Sequence, residues 1–154
     1  MPKDYVILGK KLKKWVKLEN KYLTINNTSN QYEEVFQESL KLVKTKSKEE
    51  AVAMLDDIKK KSKSIEESFL WSLKQVYLAL EIDNRNMAVA LLYALNEEIE
   101  YFNLEKWNPK LAIEVYILFL RPSINKILKT EMKELIYGKL CRLSPQEAMK
   151  ISFL

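Results

Sequence analysis

The sequence predicts an all-α protein, a bundle of helical hairpins of about six or seven helices, open to repeat-like stacking. Three observations carry that expectation. Apolar residues recur at three- and four-residue steps from Gln31 onward. Two glycines and four prolines in 154 residues are too few turn formers for a many-stranded sandwich or barrel. Serines stand three residues ahead of glutamates at the heads of apolar runs, a pattern that satisfies the free amides of a helix start. The length suits one domain with a single core.

The elements follow in order. Residues 5–22, YVILGKKLKKWVKLENKY, are basic and amphipathic, and Leu8, Leu12, Trp15 and Tyr22 share a face if the stretch is helical. A helix docked on the domain, or an arm, is the plain reading, and a membrane-surface helix is the alternative. The polar run TINNTSN, 24–30, reads as a linker. Residues 1–30 are therefore expected to be a basic appendage or linker, and 31–154 the helical domain.

Tyr32, Val35, Phe36, Leu40 and Val43 make the first stripe of that domain. Ser47 and Glu50 open a second helix with Ala51, Met54, Leu55 and Ile58 on its apolar face, and Lys59, Lys60 and Lys61 suit its negative end. Ser64 and Glu67 repeat the device. The helix they open has two stripes: Phe69, Leu73, Val76, Tyr77 and Leu80, and then Trp71, Leu78 and Ile82. A helix with two apolar stripes packs on two sides. DNRN, 83–86, is a turn with capping residues, and the next helix carries Ala88, Leu91, Leu92, Leu95, Ile99 and Phe102. Glu97, Glu98 and Glu100 read as a solvated face, not as acid–base groups.

Trp107-Asn108-Pro109 is a helix-start device, with Asn108 as the cap, Pro109 at the first helical position and Trp107 as an apolar staple. The helix it opens, 109–121, is apolar through most of its circumference. Leu111, Ala112, Val115 and Phe119 form one side, and Ile113, Tyr116, Ile117 and Leu120 widen it. After Pro122 a long helix is expected with Ile127, Leu128, Met132, Leu135, Ile136, Leu140 and Leu143. SPQE, 144–147, opens a short last helix.

Burying an extra Ile or Leu stabilises by roughly 1.5–3 kcal/mol, and a large exposed apolar patch is a docking surface. Self-association is the economical cover for the second stripes. Trp71, Leu78, Ile82, Ile113, Tyr116, Ile117 and Leu120 are therefore the interface candidates. A central helix enclosed by its own chain is the competing reading.

The chemistry is restricted. No histidine is present, and Cys141 is the only cysteine, so a disulfide within the chain, a histidine-based catalytic centre and the usual zinc sets are ruled out. There is no glycine-rich phosphate loop and no cluster of metal ligands. No enzyme activity, cofactor or metal is expected. The charge of +5 is almost all lysine, with arginine only at Arg85, Arg121 and Arg142. That composition speaks against a nucleic-acid partner, which would use arginine forks. No run of about twenty apolar residues predicts a membrane span. Lysines at 10, 11, 13 and 14 interrupt any signal peptide, so a cytoplasmic location is expected.

The block from Phe69 to Ile151 resembles the C-terminal domain of the TssA family (VasJ- or ImpA-like) of bacterial type VI secretion. The resemblance is carried by an apolar helix, a turn and the helix ending in Glu98-Ile99. Leu104, Trp107, Asn108, Pro109, Leu111 and Ala112 follow, and the tail is Leu140, Arg142, Leu143, Ser144, Pro145 and Ala148. Asn108 replaces the family's glutamate and Ser144 its aspartate; serine keeps the capping chemistry. The resemblance covers about half the chain, without the long N-terminal region typical of the family. It implies a non-enzymatic assembly protein. Such a protein would form a cyclic or dihedral ring with itself and help prime or cap the tail tube and sheath at the baseplate. A monomeric helical-repeat adaptor that binds a peptide is the alternative.

Overall fold

The computed structural model describes residues 28–151, with side chains from Gln31 onward. The basic stretch 5–22 and most of the run 24–30 lie outside the described residues. Those described form nine helices and no strand. They are α1 (Thr28–Thr45), α2 (Lys48–Lys60), α3 (Ile65–Glu81), α4 (Arg85–Tyr101), α5 (Leu104–Trp107), α6 (Pro109–Phe119), α7 (Pro122–Asn125), α8 (Thr130–Leu143) and α9 (Pro145–Met149). The all-α expectation holds. α1 begins at Thr28, inside the polar run expected to be a linker.

The starts of the helices follow the capping chemistry. Ser47 Oγ accepts from Glu50 N at 3.1 Å, and Ser64 Oγ from Glu67 N at 3.0 Å. The Glu67 carboxylate accepts in turn from Lys63 N at 3.0 Å, which closes the second box one residue early. Asn84 Oδ1 accepts from Met87 N, and Ser144 Oγ from Glu147 N. Asn108 departs from the expectation: its side chain makes no cap bond. Pro109 at the first helical position starts α6, and the Asn108 N–H instead donates to Leu104 O at 2.8 Å.

Helices next to each other in sequence are next to each other in space. α1 and α2 form a hairpin laid on α3; α3 pairs with α4, α4 with α6, α6 with α8, and α9 folds onto α8. The two stripes of α3 serve two cores. Phe69, Leu73, Val76 and Ala79 face the larger one, shared with α4, α6 and α8. Trp71 and Leu78 face a smaller one with Tyr32, Phe36, Ala51 and Leu55 of the α1–α2 hairpin. The Tyr32 and Trp71 rings sit 4.4 Å apart, tilted by 58°.

α6 is the central helix. α4, α5, α7 and α8 all pack on it, and Ala112, Val115, Tyr116, Leu118 and Phe119 are buried. Its nearly unbroken apolar surface is thus mostly an internal requirement. The long helix expected after Pro122, its start left open by the sequence, is preceded by a separate short turn. α7 is a single turn, and α8 starts only at Thr130. Ile127 falls in the connection between them and is exposed. Leu135 is exposed as well, because it sits one position, about 100°, round the helix from the buried Ile136.

Candidate assembly surface

Leu104, Trp107, Pro109 and Leu111 lie around the corner between α5 and α6, beside the larger core. Asn103 takes a left-handed conformation (φ 55°) and turns the chain sharply after α4. The single turn of α5 follows, with Leu104 driven into the core. The Trp107 indole N–H donates to Phe102 O at 2.8 Å. That bond pins the tryptophan across the corner while half of it stays exposed. Tyr101 and Phe102 meet edge to face at 4.9 Å beside it. Leu111 is half-buried, and Pro109 is exposed. In the tail, Leu143 packs half-buried on the core, and Arg142 and Pro145 are exposed.

A polar clasp ties this corner to α8. Lys139 is buried, and its Nζ donates to Asn96 Oδ1 at 3.0 Å and to Glu100 Oε1 at 2.6 Å, both on α4. The amine also stands 5.8 Å from the centre of the Tyr116 ring, a cation–π distance. The Tyr116 hydroxyl donates to Glu105 of α5. Burial first, and then the Glu105 carboxylate, push the Tyr116 phenol well above its ordinary range; Arg142 offsets this in part. The clasp therefore joins α4, α5, α6 and α8.

A second clasp joins α1, α3 and α6. The Tyr77 hydroxyl donates to Glu114 Oε2 at 2.6 Å. Lys74 Nζ reaches Glu33 Oε2 at 3.0 Å and lies 5.2 Å from the Phe36 ring and 5.5 Å from the Tyr77 ring. A hydrogen bond from Gln37, and then the one from Lys74, hold the Glu33 carboxyl below its usual value. Burial and the Glu114 carboxylate push the Tyr77 phenol far upward.

The two tyrosines set a direction for alkaline stability. In the unfolded chain their phenols lose protons near pH ~10, whereas in the fold they keep them. Above that pH the unfolded state binds fewer protons, so stability falls as pH rises. Denaturant unfolding on both sides of pH ~10 should show that decline, and the Tyr77→Phe variant should flatten it. An unchanged slope in the variant would remove Tyr77 from this account.

The seven interface candidates divide by burial. Trp71 and Leu78 are covered by α1 and α2 of the same chain, and Tyr116 and Leu120 are enclosed in the larger core. All four are no more than 3% exposed. They cannot meet another molecule unless the fold opens. Ile82, Ile113 and Ile117 are half-buried and keep a free side. Apolar surface left open among the described residues includes the Ile113–Ile117 strip of α6, Ile82, and the exposed side chains of Ile65, Tyr93, Tyr101, Trp107, Ile127, Leu135 and Met149.

Lys139 escaped sequence reasoning. Its only signal is a lysine in register with Ile136, Leu140 and Leu143 on an apolar stripe. Glu97 is exposed as expected, but Glu100 anchors Lys139, and half-buried Glu98 has its carboxyl pushed up by desolvation. Among the described residues no group of histidine, cysteine and acidic side chains is placed to hold a metal ion. No described helix is long and apolar enough to cross a membrane.

Stacked helices, two cores and clasps that lock helix to helix define an all-α protein of packed helical hairpins. The particular family follows from comparison. Residues 6–119 match the family model described as type VI secretion, EvfE, EvfF, ImpA, BimE and VasJ, and the chain belongs to that family of assembly proteins. The match ends at Phe119, the last residue of α6. It includes Leu104, Trp107, Pro109 and Leu111, and leaves the tail with Arg142, Leu143 and Pro145 outside. It also starts within the basic stretch 5–22, far ahead of the block on which the sequence resemblance rested, and runs across residue 30. Neither the curated proteins nor the solved structures returned a match.

Proposed function

We propose that the chain is a non-catalytic scaffold of the type VI apparatus that joins copies of itself into a ring and presents repeated contacts to the tail tube, sheath or baseplate. The observation that carries this reading is the family match over 6–119. The half-covered Ile113–Ile117 strip on the central helix supports it, since two isoleucines one turn apart are a short apolar seam that a second copy would cover. A ring multiplies weak contacts: each is modest, but together they are tight when the partner has matching symmetry.

Light scattering tests the reading directly. The chain should have the mass of a closed oligomer at micromolar concentration, and the pair Ile113→Glu and Ile117→Glu should reduce it to the monomer without loss of helicity. A wild-type chain that stays monomeric at high micromolar concentration would overturn the ring. A monomer would favour the adaptor reading, for which a groove between α2, α3 and α4 is the supporting feature.

A further inference from the structure

Gly138 lies in the interior of α8, about 200° round the helix from both Ile136 and Leu140, which are buried. A glycine there weakens the helix relative to alanine, because it has the most backbone freedom to lose. Nothing among the described residues calls for it. Its backbone is helical, and beyond the helix's own backbone the one atom that an added Cβ would meet within 4 Å is Arg142 Nη1, at 3.6 Å. That is an ordinary contact with the end of an exposed side chain, so an alanine would fit. The remaining use of a glycine in mid-helix is to let another backbone come close.

The neighbours of Gly138 on that face indicate the partner. Glu134 lies four residues before it and Arg142 four after. Both are exposed, and neither forms an ion pair among the described residues. Neither has an oppositely charged residue three or four positions away on the helix. Leu135, three before the glycine, is exposed, and Cys141, three after it, is half-buried. We propose that α8 is a two-fold contact between copies of this chain, the two helices crossing antiparallel at Gly138. The proposal goes beyond the ring reading and does not rest on it, since the Ile113–Ile117 seam lies on α6.

The face is complementary to itself. About a two-fold axis through Gly138, each residue before the glycine meets the one equally far after it in the other copy. Glu134 then faces Arg142 of the second copy, and Arg142 faces its Glu134, so both unpaired charges are matched twice. The exposed Leu135 lands on the half-buried Cys141, and the missing Cβ lets the backbones approach at the centre. A foreign partner would need no such equal and opposite spacing. One pair of 14-residue helices is small beside the ~1,200–2,000 Å² of a stable interface. Alone, the contact therefore forms at millimolar concentration; where the seam also forms, the two act together.

Sedimentation equilibrium of the full chain, from micromolar to millimolar concentration, tests it. Glu134→Arg and Arg142→Glu should each keep the helicity, weaken the contact about tenfold or more and halve the assembled mass, because each sets four like charges at the crossing. An equal mixture of the two should restore the mass, because one chain then brings only cations to the crossing and the other only anions. Gly138→Gln should raise the midpoint of thermal unfolding by about 2–4 °C, as a better helix former, and yet halve the mass. A purely structural glycine would not strengthen the fold and weaken the assembly together. The proposal is overturned if the reversed chains keep the wild-type mass, if their mixture stays apart, or if Gly138→Gln assembles fully. The same runs keep the two readings distinct. A chain that stops at a dimer, split by the charge reversals, removes only the ring; a ring indifferent to them removes only the α8 contact; a monomer at millimolar concentration removes both.

Discussion

Trp71→Ala should cost about 3–5 kcal/mol of stability and should release the α1–α2 hairpin before the rest of the chain unfolds. Trp71 is 2% exposed and is the largest side chain that α3 presents to the smaller core. Its ring contacts Tyr32 of α1, and Ala51 and Leu55 of α2 pack in the same cluster. The other α3 side chain of aromatic size at that cluster, Tyr77, is only partly buried and packs on Phe36, so truncation of Trp71 leaves a cavity beside Tyr32 that the two helices cannot fully close. The larger core does not include Trp71. Hydrogen exchange should therefore accelerate in α1 and α2 while α4, α6 and α8 keep their protection. Trp71→Phe should cost much less, because the indole N–H has no hydrogen-bond partner among the described residues and the ring contact survives. If Trp71→Ala left the stability intact and lowered only the oligomeric mass, Trp71 would be an interface residue after all, and the two-core description would fall.

Phe119→Ala should produce a loss of similar size, about 3–5 kcal/mol, but spread over the whole chain. Phe119 is fully buried at the end of the central helix, with the Tyr93 ring 5.9 Å away. It belongs to the cluster that joins α3, α4, α6 and α8, so no subset of helices escapes its loss. A domain of this size holds ~5–15 kcal/mol in total, so the midpoint of thermal unfolding should fall by roughly 10 °C or more. Differential scanning calorimetry should show one transition moved down as a unit. A transition that broadened or split would show that α6 does not couple the helices as described.

These two substitutions bear on how much of the fold was legible in the sequence. The twin stripes of α3 show in the sequence itself a helix that packs on two sides, because a 3.6-residue period exposes the faces directly. The neighbour across the second stripe was open, and the structure supplies it from the same chain. The apolar helix after Pro109 was legible as a helix that must be covered, yet its cover is internal for Tyr116 and Leu120 and incomplete only at Ile113 and Ile117. The motif corner shows the same division. Pro109 marked the start of α6, but the bond that pins Trp107 runs to the Phe102 carbonyl, and the left-handed turn at Asn103 had no distinctive signal beyond an asparagine.

Helix positions, their capping serines and the family relationship were determined along the chain, because they depend on residues a few positions apart whose periods and hydrogen bonds are local. Which apolar face meets which neighbour was decided only by the tertiary structure, as was the joining of Lys139 to Asn96 and Glu100. Those partners lie some forty residues away, and burial depends on what surrounds a side chain, not on the order in which the chain presents it.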